Sequence, residues 1–133
     1  MIVIDTHVLL WMDSSDRKIG RRTRALIERN WVVGNVAVPA IVFWEIGMFA
    51  ARNRIRLPAP LPEWRQNLLA AGFLELPLDG AVALRALDLA GMPADPADRF
   101  IVATALEHHA SLVTADEKLL AWRHGLERHD ARD

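Results

Sequence analysis

Short apolar segments alternate with helix-length segments along the chain, and this alternation restricts the fold more than any other feature. The first segment, Met1 to Ile4, is apolar and rich in β-branched residues, as in a strand buried on both faces of a parallel sheet. Further strands are predicted at Val36 to Val38, Phe73 to Leu78 and Ser111 to Val113. Strands that alternate with helices form right-handed crossovers, so the predicted fold is α/β. We expect a three-layer α/β/α sandwich with a central, mainly parallel sheet of four or five strands.

The segments between the predicted strands have the length and composition of helices. Pro39 suits the entry to one helix and Asp79 suits the N-cap of another, whereas Pro58, Pro60 and Pro62 mark a connector. No repeat or linker divides the 133 residues, which predicts a single domain over residues 1–133. Helical segments are predicted over Val8 to Met12 (a turn or short helix), Arg17 to Asn30, Ala40 to Asn53, Glu63 to Ala71, Asp79 to Ala90, Asp95 or Pro96 to Ala110, and from Ala115.

The chain contains no cysteine, which excludes disulfide bonds and thiolate zinc sites and leaves oxygen or imidazole to hold any metal. The absence of cysteine also suits a cytoplasmic protein. Met1 leads directly into an apolar strand, so no secretory signal is expected. Pro39 and Glu45 interrupt the longest weakly charged stretch, so no membrane span is expected. A net charge of −1 argues against a protein that coats nucleic acid by bulk electrostatics alone.

Two acidic residues follow predicted strands. Asp5 comes directly after the first strand, and Asp116 lies three residues beyond Val113. Ligands of open parallel sheets bind beyond the carboxyl ends of the strands, so these carboxylates face one crevice if their strands are neighbours. Each acid also has a structural explanation. Asp5 would cap the following turn, and Asp116 would complement the dipole of a helix that begins with a Thr114–Glu117 capping box.

Two further acids lie on predicted helices. Asp98 stands near a helix start at the mouth of the sheet, where Asp95 as N-cap and Asp98 at N3 would also make a well-formed helix start. Glu45 is surrounded by apolar residues at helical spacing, and an isolated buried carboxylate takes up a proton or finds a partner. A metal ion is one such partner, and an ion pair or exposure at the helix edge is the alternative. The candidate ion-pair partners are Arg52, Arg54 and Arg99.

Converging carboxylates repel one another unless a cation lies between them, so the acids predict a divalent-metal site. Mg²⁺ or Mn²⁺ fits because both prefer hard oxygen ligands with retained waters. Zinc is disfavoured without cysteine or a paired-histidine helix spacing. The predicted acids are Asp5, Glu45, Asp98 and Asp116, and the histidines interpreted as non-ligands are His7, His108, His109, His124 and His129.

Four segments of the chain resemble, in order and spacing, the PIN-domain toxins of VapC type. They are IVIDTHVLLW at the start, VPAIVFWEIG in the centre, and then DPADRFIVATAL and LVTADEKL. The resemblance covers almost the whole chain and implies a PIN-like fold and a Mg²⁺- or Mn²⁺-dependent endoribonuclease. It also implies the toxin of a bacterial toxin–antitoxin pair, inhibited by a cognate VapB-like antitoxin, and RNA products with 5′-phosphate and 3′-hydroxyl ends.

The resemblance also assigns roles to individual residues. Thr6 and Thr114 match positions where a hydroxyl hydrogen-bonds an acid or a metal-bound water, although both residues also suit helix caps. Asp95 is interpreted as a cap or a peripheral helper of the site. Members of the family commonly end with an apolar strand, whereas Leu126 to Ala131 is largely polar here, which leaves a fifth strand open. The acids that carry over are Asp5, Glu45, Asp98 and Asp116.

Basic and aromatic residues offer possible contact surfaces. The planar fork of arginine suits phosphate oxygens, so the arginine clusters are candidates for contact with the RNA backbone or an acidic antitoxin segment, and a solvated helix face is the alternative. The five tryptophans are interpreted as core or interface residues rather than base-stacking platforms. An apolar chain of this size is also expected to form a homodimer. The basic residues are Arg17, Lys18, Arg21, Arg22 and Arg24, then Arg52, Arg54 and Arg56, and Arg99.

Two other functions remain open. A phosphoryl-transfer domain of receiver or dehalogenase type needs an acidic pair at the first strand or an Asp-x-Asp, together with a late lysine after a strand. Asp5-Thr6-His7 lacks the first feature, and Lys118 falls within a predicted helix. A catalytically silent PIN-like binding module would keep the fold and lose acids, whereas all four acids are present here.

Overall fold

Five strands form one central parallel sheet in the computed structural model, which describes residues 1–122 and 124–133. Helices flank this sheet, so the predicted parallel α/β/α sandwich is confirmed. None of the helices in these ranges is long and apolar enough to cross a lipid bilayer. The strands are β1 (Ile2–Ile4), β2 (Val36–Pro39), β3 (Leu74–Leu76), β4 (Ser111–Thr114) and β5 (Arg128–Asp130). The helices are α1 (Thr6–Asp13), α2 (Arg21–Val32), α3 (Ala40–Ala51), α4 (Leu61–Ala70), α5 (Gly80–Leu87), α6 (Pro96–Glu107) and α7 (Glu117–Ala121).

The apolar first strand lies at the centre of the sheet, whose order is β3-β2-β1-β4-β5. Ile2 pairs with Val36 of β2 on one side, and Ile4 pairs with Val113 of β4 on the other. Every residue of β1 is buried, as its composition predicts for a strand covered on both faces. Because all the pairings are parallel, the carboxyl ends of the strands meet at one edge, where ligands of such sheets bind.

The polar segment that left a fifth strand open does form one. β5 pairs in parallel with β4 at the edge of the sheet, where Arg128 lies opposite Leu112. An edge strand keeps one side in water, so polar residues are tolerated there. The buried side chains of Leu126 and Ala131 anchor the two ends of this segment in the core.

The second helix begins later than predicted. Gly20 is its N-cap, so α2 starts at Arg21 and not at Arg17. The preceding residues form a turn in which the Asp16 carboxylate accepts a hydrogen bond of 2.9 Å from the Lys18 N–H. Arginine has high helix propensity, so local sequence predicted a helix from Arg17. The turn is instead fixed by contacts with distant parts of the chain, such as the hydrogen bond from the Gly20 N–H to the Ala131 carbonyl. Arg17 and Lys18 therefore lie outside the helix.

Other helix boundaries also differ from the predictions for local reasons. Pro62 lies in the first turn of α4 and not in the connector, at a position where a helix needs no N–H donor. α6 ends at Glu107, three residues before the predicted end, because His109 adopts a left-handed backbone with φ of 50°. α5 ends at Leu87, and α7 begins at Glu117 behind an Asp116 N-cap.

The guanidinium of Arg99 fastens α6 to the end of α5. It donates hydrogen bonds to the Ala86 carbonyl at 2.9 Å and the Met92 carbonyl at 3.2 Å, and longer ones to three neighbouring carbonyls. Carbonyls at the end of a helix have no intrahelical partner, so an arginine that reaches several of them supplies the hydrogen-bond donors that these carbonyls lack. The side chain of Arg99 is thus engaged in the fold and does not line the acidic cavity described below.

The start of α2 is packed tightly against the last residues of the sequence. The Gly20 N–H donates to the Ala131 carbonyl at 2.9 Å, and the Thr23 N–H donates to the Asp133 carbonyl at 3.0 Å. A Cβ atom at Gly20 would lie only 2.0 Å from that Asp133 oxygen. Gly20 therefore permits a close approach of two backbones that no other residue allows.

Gly20→Ala is expected to lower the free energy of unfolding by about 1–3 kcal/mol, because the added methyl group must displace backbone atoms. Urea unfolding followed by circular dichroism measures this loss. The matched control is Gly80→Ala at the first residue of α5, where a Cβ atom meets nothing within 4 Å and stability should not fall. Equal stability of the Gly20 variant and the unaltered protein would contradict the packing described here.

Candidate metal centre

The carboxylate of Asp5 is held at the end of the central strand. Asp5 follows β1 directly and is the N-cap of α1, where its Oδ1 accepts a hydrogen bond of 3.0 Å from the Val8 N–H. Its Oδ2 accepts a short hydrogen bond from the Thr114 hydroxyl at the end of β4. The side chain is only 6% exposed. Two donors from two elements therefore fix its orientation.

The second strand-end acid is Asp116, and Thr114 links it to Asp5. The Thr114 hydroxyl accepts a hydrogen bond of 3.1 Å from the Asp116 N–H while donating to Asp5. The Asp116 carboxylate is the N-cap of α7 and accepts from the Lys118 N–H at 2.8 Å. The alternative Thr114–Glu117 capping box is wrong, because Asp116 is the N-cap of α7 and the Thr114 hydroxyl accepts from the Asp116 N–H instead of the Glu117 N–H.

Glu45 reaches the same place from α3. It is half-buried, and its Oε1 accepts a short hydrogen bond from the hydroxyl of Thr6, the first residue of α1. Within residues 1–122 and 124–133, Glu45 forms no ion pair with Arg52, Arg54 or Arg99. The alternative interpretation of this acid as part of an ion pair is therefore wrong.

The fourth acid, Asp98, lies in the first turn of α6. Asp95 is the N-cap, and its Oδ1 accepts from the Asp98 N–H at 3.3 Å, while Pro96 is the first helical residue. This is the helix start predicted from the sequence. The start also places the Asp98 side chain in one cavity with the other three acids, so a place in the first turn of α6 and proximity to these acids are compatible.

The four acids share one cavity of about 400 Å³ at the carboxyl edge of the sheet. Their positions along the chain span more than a hundred residues, yet the ends of β1 and β4, the middle of α3 and the start of α6 bring them together. Arginine and aromatic side chains complete the walls. The lining residues used below are Asp5, Glu45, Asp98 and Asp116, with Thr6, Asp95, His7, Trp44, Met48, Phe49, Arg52 and Arg54.

The mutual repulsion of these acids appears in their proton affinities. The pKa of Asp98 is raised to about 7, chiefly by burial and in addition by the negative charges of Asp95, Asp116, Glu45 and Asp5. Burial also raises the pKa of Asp5, although the hydrogen bonds from Thr114 and Val8 act in the opposite direction. A metal-free protein therefore holds its negative charge here at a free-energy cost.

The donor set fits a hard divalent cation that keeps part of its water shell. In the described part of the chain, no three acidic or histidine side chains are close enough to hold an ion by direct contact alone. Mg²⁺ commonly binds through one or two carboxylates and several waters, so direct enclosure is not required. Carboxylate oxygens, an excess of negative charge and room for water are all present in the cavity.

The predicted basic contacts separate into two groups. Arg52 and Arg54 line the acidic cavity. The arginines at the start of α2 lie elsewhere: Arg22 lines a cavity beside β5, and Arg24 donates to the Asp16 carbonyl at 3.3 Å. None of the arginines before or at the start of α2 lines the acidic cavity; they are Arg17, Arg21, Arg22 and Arg24.

Sequence reasoning missed the aromatic wall of the cavity. His7 packs against Phe49 with ring centroids 5.9 Å apart, and both line the cavity together with Trp44. Their sequence neighbours carried a signal, because His7 lies two residues after Asp5 and Trp44 directly precedes Glu45. The other histidines do not line this cavity in the described ranges.

Comparison with known proteins agrees with this fold and arrangement. The family model of the PIN domain matches residues 2–123, and the chain therefore belongs to the PIN-domain family. Within that family it is similar to Ribonuclease VapC22 of Mycobacterium tuberculosis, with 35% identity over 124 residues that cover 92% of each chain. The resemblance to PIN-domain toxins of VapC type is thus confirmed.

Solved structures share the fold at lower sequence identity. A toxin–antitoxin complex from Klebsiella pneumoniae has a TM-score of 0.64 at 22% identity, with 95% of each chain covered. VapBC2 from Rickettsia felis, bound to a DNA fragment from its promoter, has a TM-score of 0.66 at 14% identity over 97% of this chain and 98% of that one. At such identities the likeness concerns the fold.

Proposed function

We propose that this chain is a Mg²⁺- or Mn²⁺-dependent endoribonuclease and the toxin of a toxin–antitoxin pair. The observation that carries the proposal is the convergence of four acids from four separate segments in one cavity. The relative in Mycobacterium tuberculosis, which is named a ribonuclease, supports the choice of RNA as substrate. The expected products carry 5′-phosphate and 3′-hydroxyl ends.

Asp5, Asp98 and Asp116 would hold the cation, partly through water molecules of its shell, and Glu45 would be a further ligand or a base that orients water. A bound divalent ion supplies activation of water and stabilisation of the charge that develops on the leaving oxygen. Asp5 is pre-oriented for this role because Val8 and Thr114 fix both of its oxygens. Such supporting hydrogen bonds strengthen ligand positioning in metal sites.

The other residues of the cavity would activate water, bind the RNA phosphates or support the acids. Glu45 is held by the Thr6 hydroxyl through one oxygen, which leaves the other free to accept a proton from water. Arg52 and Arg54 line the same cavity and would bind the phosphates on either side of the scissile bond. Asp95 would act through Asp98, as the cap of the helix that presents it.

Cleavage of structured RNA is expected only with Mg²⁺ or Mn²⁺, and chelation should abolish it. Glu45→Gln keeps an oxygen that can accept from Thr6 and loses the charge, so its activity should fall by more than about tenfold. Gel analysis of end-labelled RNA measures both effects, and the end groups test the proposed products. Cleavage that persists in chelator, at an equal rate in the variant, would contradict the proposal.

A cognate VapB-like antitoxin and a second copy of the chain are the proposed protein partners. The relatives of known structure are toxin–antitoxin complexes, which supports the first. For the second, Leu84 and Leu87 on α5 expose large apolar surfaces that a homodimer would cover. Light scattering of the purified chain tests the dimer independently of activity.

The two other functions have weaker support. In a phosphoryl-transfer domain a lysine would reach the acids, but Lys118 is exposed and does not line the cavity. A silent binding module would not need four acids whose proximity raises the pKa of Asp98. Binding of RNA without any cleavage under all metal conditions would favour the silent module.

A further inference from the structure

Trp44 is an exposed aromatic side chain beside the acidic cavity. Its side chain is 57% exposed, more than any other tryptophan, and it lines the cavity next to Glu45. Burial of a tryptophan side chain lowers the free energy substantially, so an exposed tryptophan beside a cavity indicates a surface that a binding partner covers.

The other tryptophans already have partners inside the fold. Trp31, Trp64 and Trp122 donate indole hydrogen bonds of 2.8–2.9 Å. Trp11 packs against His7 and lies under the Lys18 ammonium group. Within the described ranges, Trp44 alone has neither an indole hydrogen bond nor a ring or cation contact. The structural explanation that covers the other four does not cover Trp44.

The charges around Trp44 favour a polyanion. Trp44 and Met48 on α3 and Arg52 at its C-cap follow one another at four-residue spacing, so they form a stripe along one side of the helix, and all three line the cavity. Arg54 lines this cavity and also an adjoining one of about 540 Å³ with Arg56. An aromatic face beside arginines that continue away from the acids is the composition of a single-strand nucleic-acid groove.

We propose that Trp44 stacks on a nucleobase next to the scissile phosphate, while Arg52 and Arg54 bind the adjoining phosphates of a single-stranded RNA. This inference rests on the proposed function and adds to it a residue that holds a base beside the cleaved bond. A protein surface is the weaker alternative for Trp44, because its neighbours Glu45 and Arg52 are charged. The exposed apolar side chains suited to a protein contact lie on other elements, at Leu84 and Leu87.

The test measures RNA affinity without cleavage. Short fluorescent single-stranded RNAs, each with one abasic position, are titrated with Asp5→Asn protein, with and without Trp44→Ala, by anisotropy in Mg²⁺ buffer. Removing one base–aromatic stack is expected to weaken binding about 5- to 150-fold. For the protein with Trp44 present, one of the abasic RNAs should bind more weakly than the intact RNA by this factor. For the Trp44→Ala protein, that abasic RNA and the intact RNA should bind equally. Trp44→Phe should retain most of the affinity.

The matched control is Trp31→Ala, which removes another exposed tryptophan (43%) that does not line the cavity, and RNA affinity should not change. A Trp44→Ala effect of the same size on intact RNA and on every abasic RNA would overturn the stack. So would unchanged RNA affinity with a lost dimer, which would assign Trp44 to a contact between copies. Cleavage is also compared between the unaltered protein and the single variant Trp44→Ala. If both cleave RNA with the same KM, only this inference fails. If the unaltered protein neither binds nor cleaves RNA, the proposed function fails as well.

Discussion

Asp5→Asn should reduce RNA cleavage to background while the fold persists. The amide oxygen of asparagine still accepts from Val8 N–H, and its NH₂ group can donate to the Thr114 hydroxyl, so the geometry at the strand end is kept. The lost negative charge is the part that a cation needs. Removal of a residue that hydrogen-bonds a metal ligand typically lowers metal affinity or activity by about 10- to 100-fold, and loss of a ligand itself should lower activity by more than that.

The variant should be at least as stable as the unaltered protein without metal, because burial raises the pKa of Asp5 and disfavours its charge. Cleavage rates and thermal unfolding in chelator measure the two sides of this prediction. Asp88→Asn is the control, since Asp88 is exposed and lies outside the cavity, and its activity should not change. Full activity in Asp5→Asn would remove Asp5 from the proposed centre.

Asp98→Asn should combine a comparable loss of cleavage with a gain in stability of the metal-free protein at pH 8. The pKa of Asp98 is raised from 3.8 to about 7, so the folded state binds this proton more tightly than the unfolded state. The resulting stabilisation is complete below about pH 4 and is lost as the pH rises through about 7. Asp98 is partly exposed, which reduces the effect to a few degrees of Tm.

Differential scanning calorimetry in chelator, from pH 5 to 8, measures this effect as the difference between the unaltered protein and Asp98→Asn. Groups that titrate in both proteins cancel in that difference. The variant should be more stable at pH 8, and the difference should shrink toward pH 5. Added Mg²⁺ or Mn²⁺ should reverse the ranking, since an ion that binds only the folded state raises its stability. A difference that does not change with pH would show that the pKa of Asp98 is not raised in the folded state.

The sequence predicts the acidic centre well because each acid sits at a feature that local rules recognise. Asp5 follows a fully apolar strand, and Asp98 lies three residues after a capping Asp95. Glu45 is conspicuous among apolar residues. The parallel sheet then brings strand ends to one edge, so their proximity follows from the fold class without knowledge of individual contacts.

Features that depend on distant contacts were not predictable in this way. α3 is apolar on nearly all sides, so helical periodicity does not indicate which of its faces borders the cavity, and the only signal for Trp44 is its place next to Glu45. The start of α2 is set by the backbone contact of Gly20 with Asp133, which local propensity cannot register. The strand β5 has no apolar alternation, and its edge position made that unnecessary.

The pairing of β1 with β4 also governs when the acidic centre can exist. This pairing joins residues 2–4 to residues 111–114, and Asp116 follows only after it. During synthesis on the ribosome, Asp5 therefore lacks its hydroxyl partner until Thr114, 109 residues further along the chain, has been added. The acidic centre can therefore form only once β4 and Asp116 have been synthesised, so any hydrolytic activity must follow the pairing of β1 with β4.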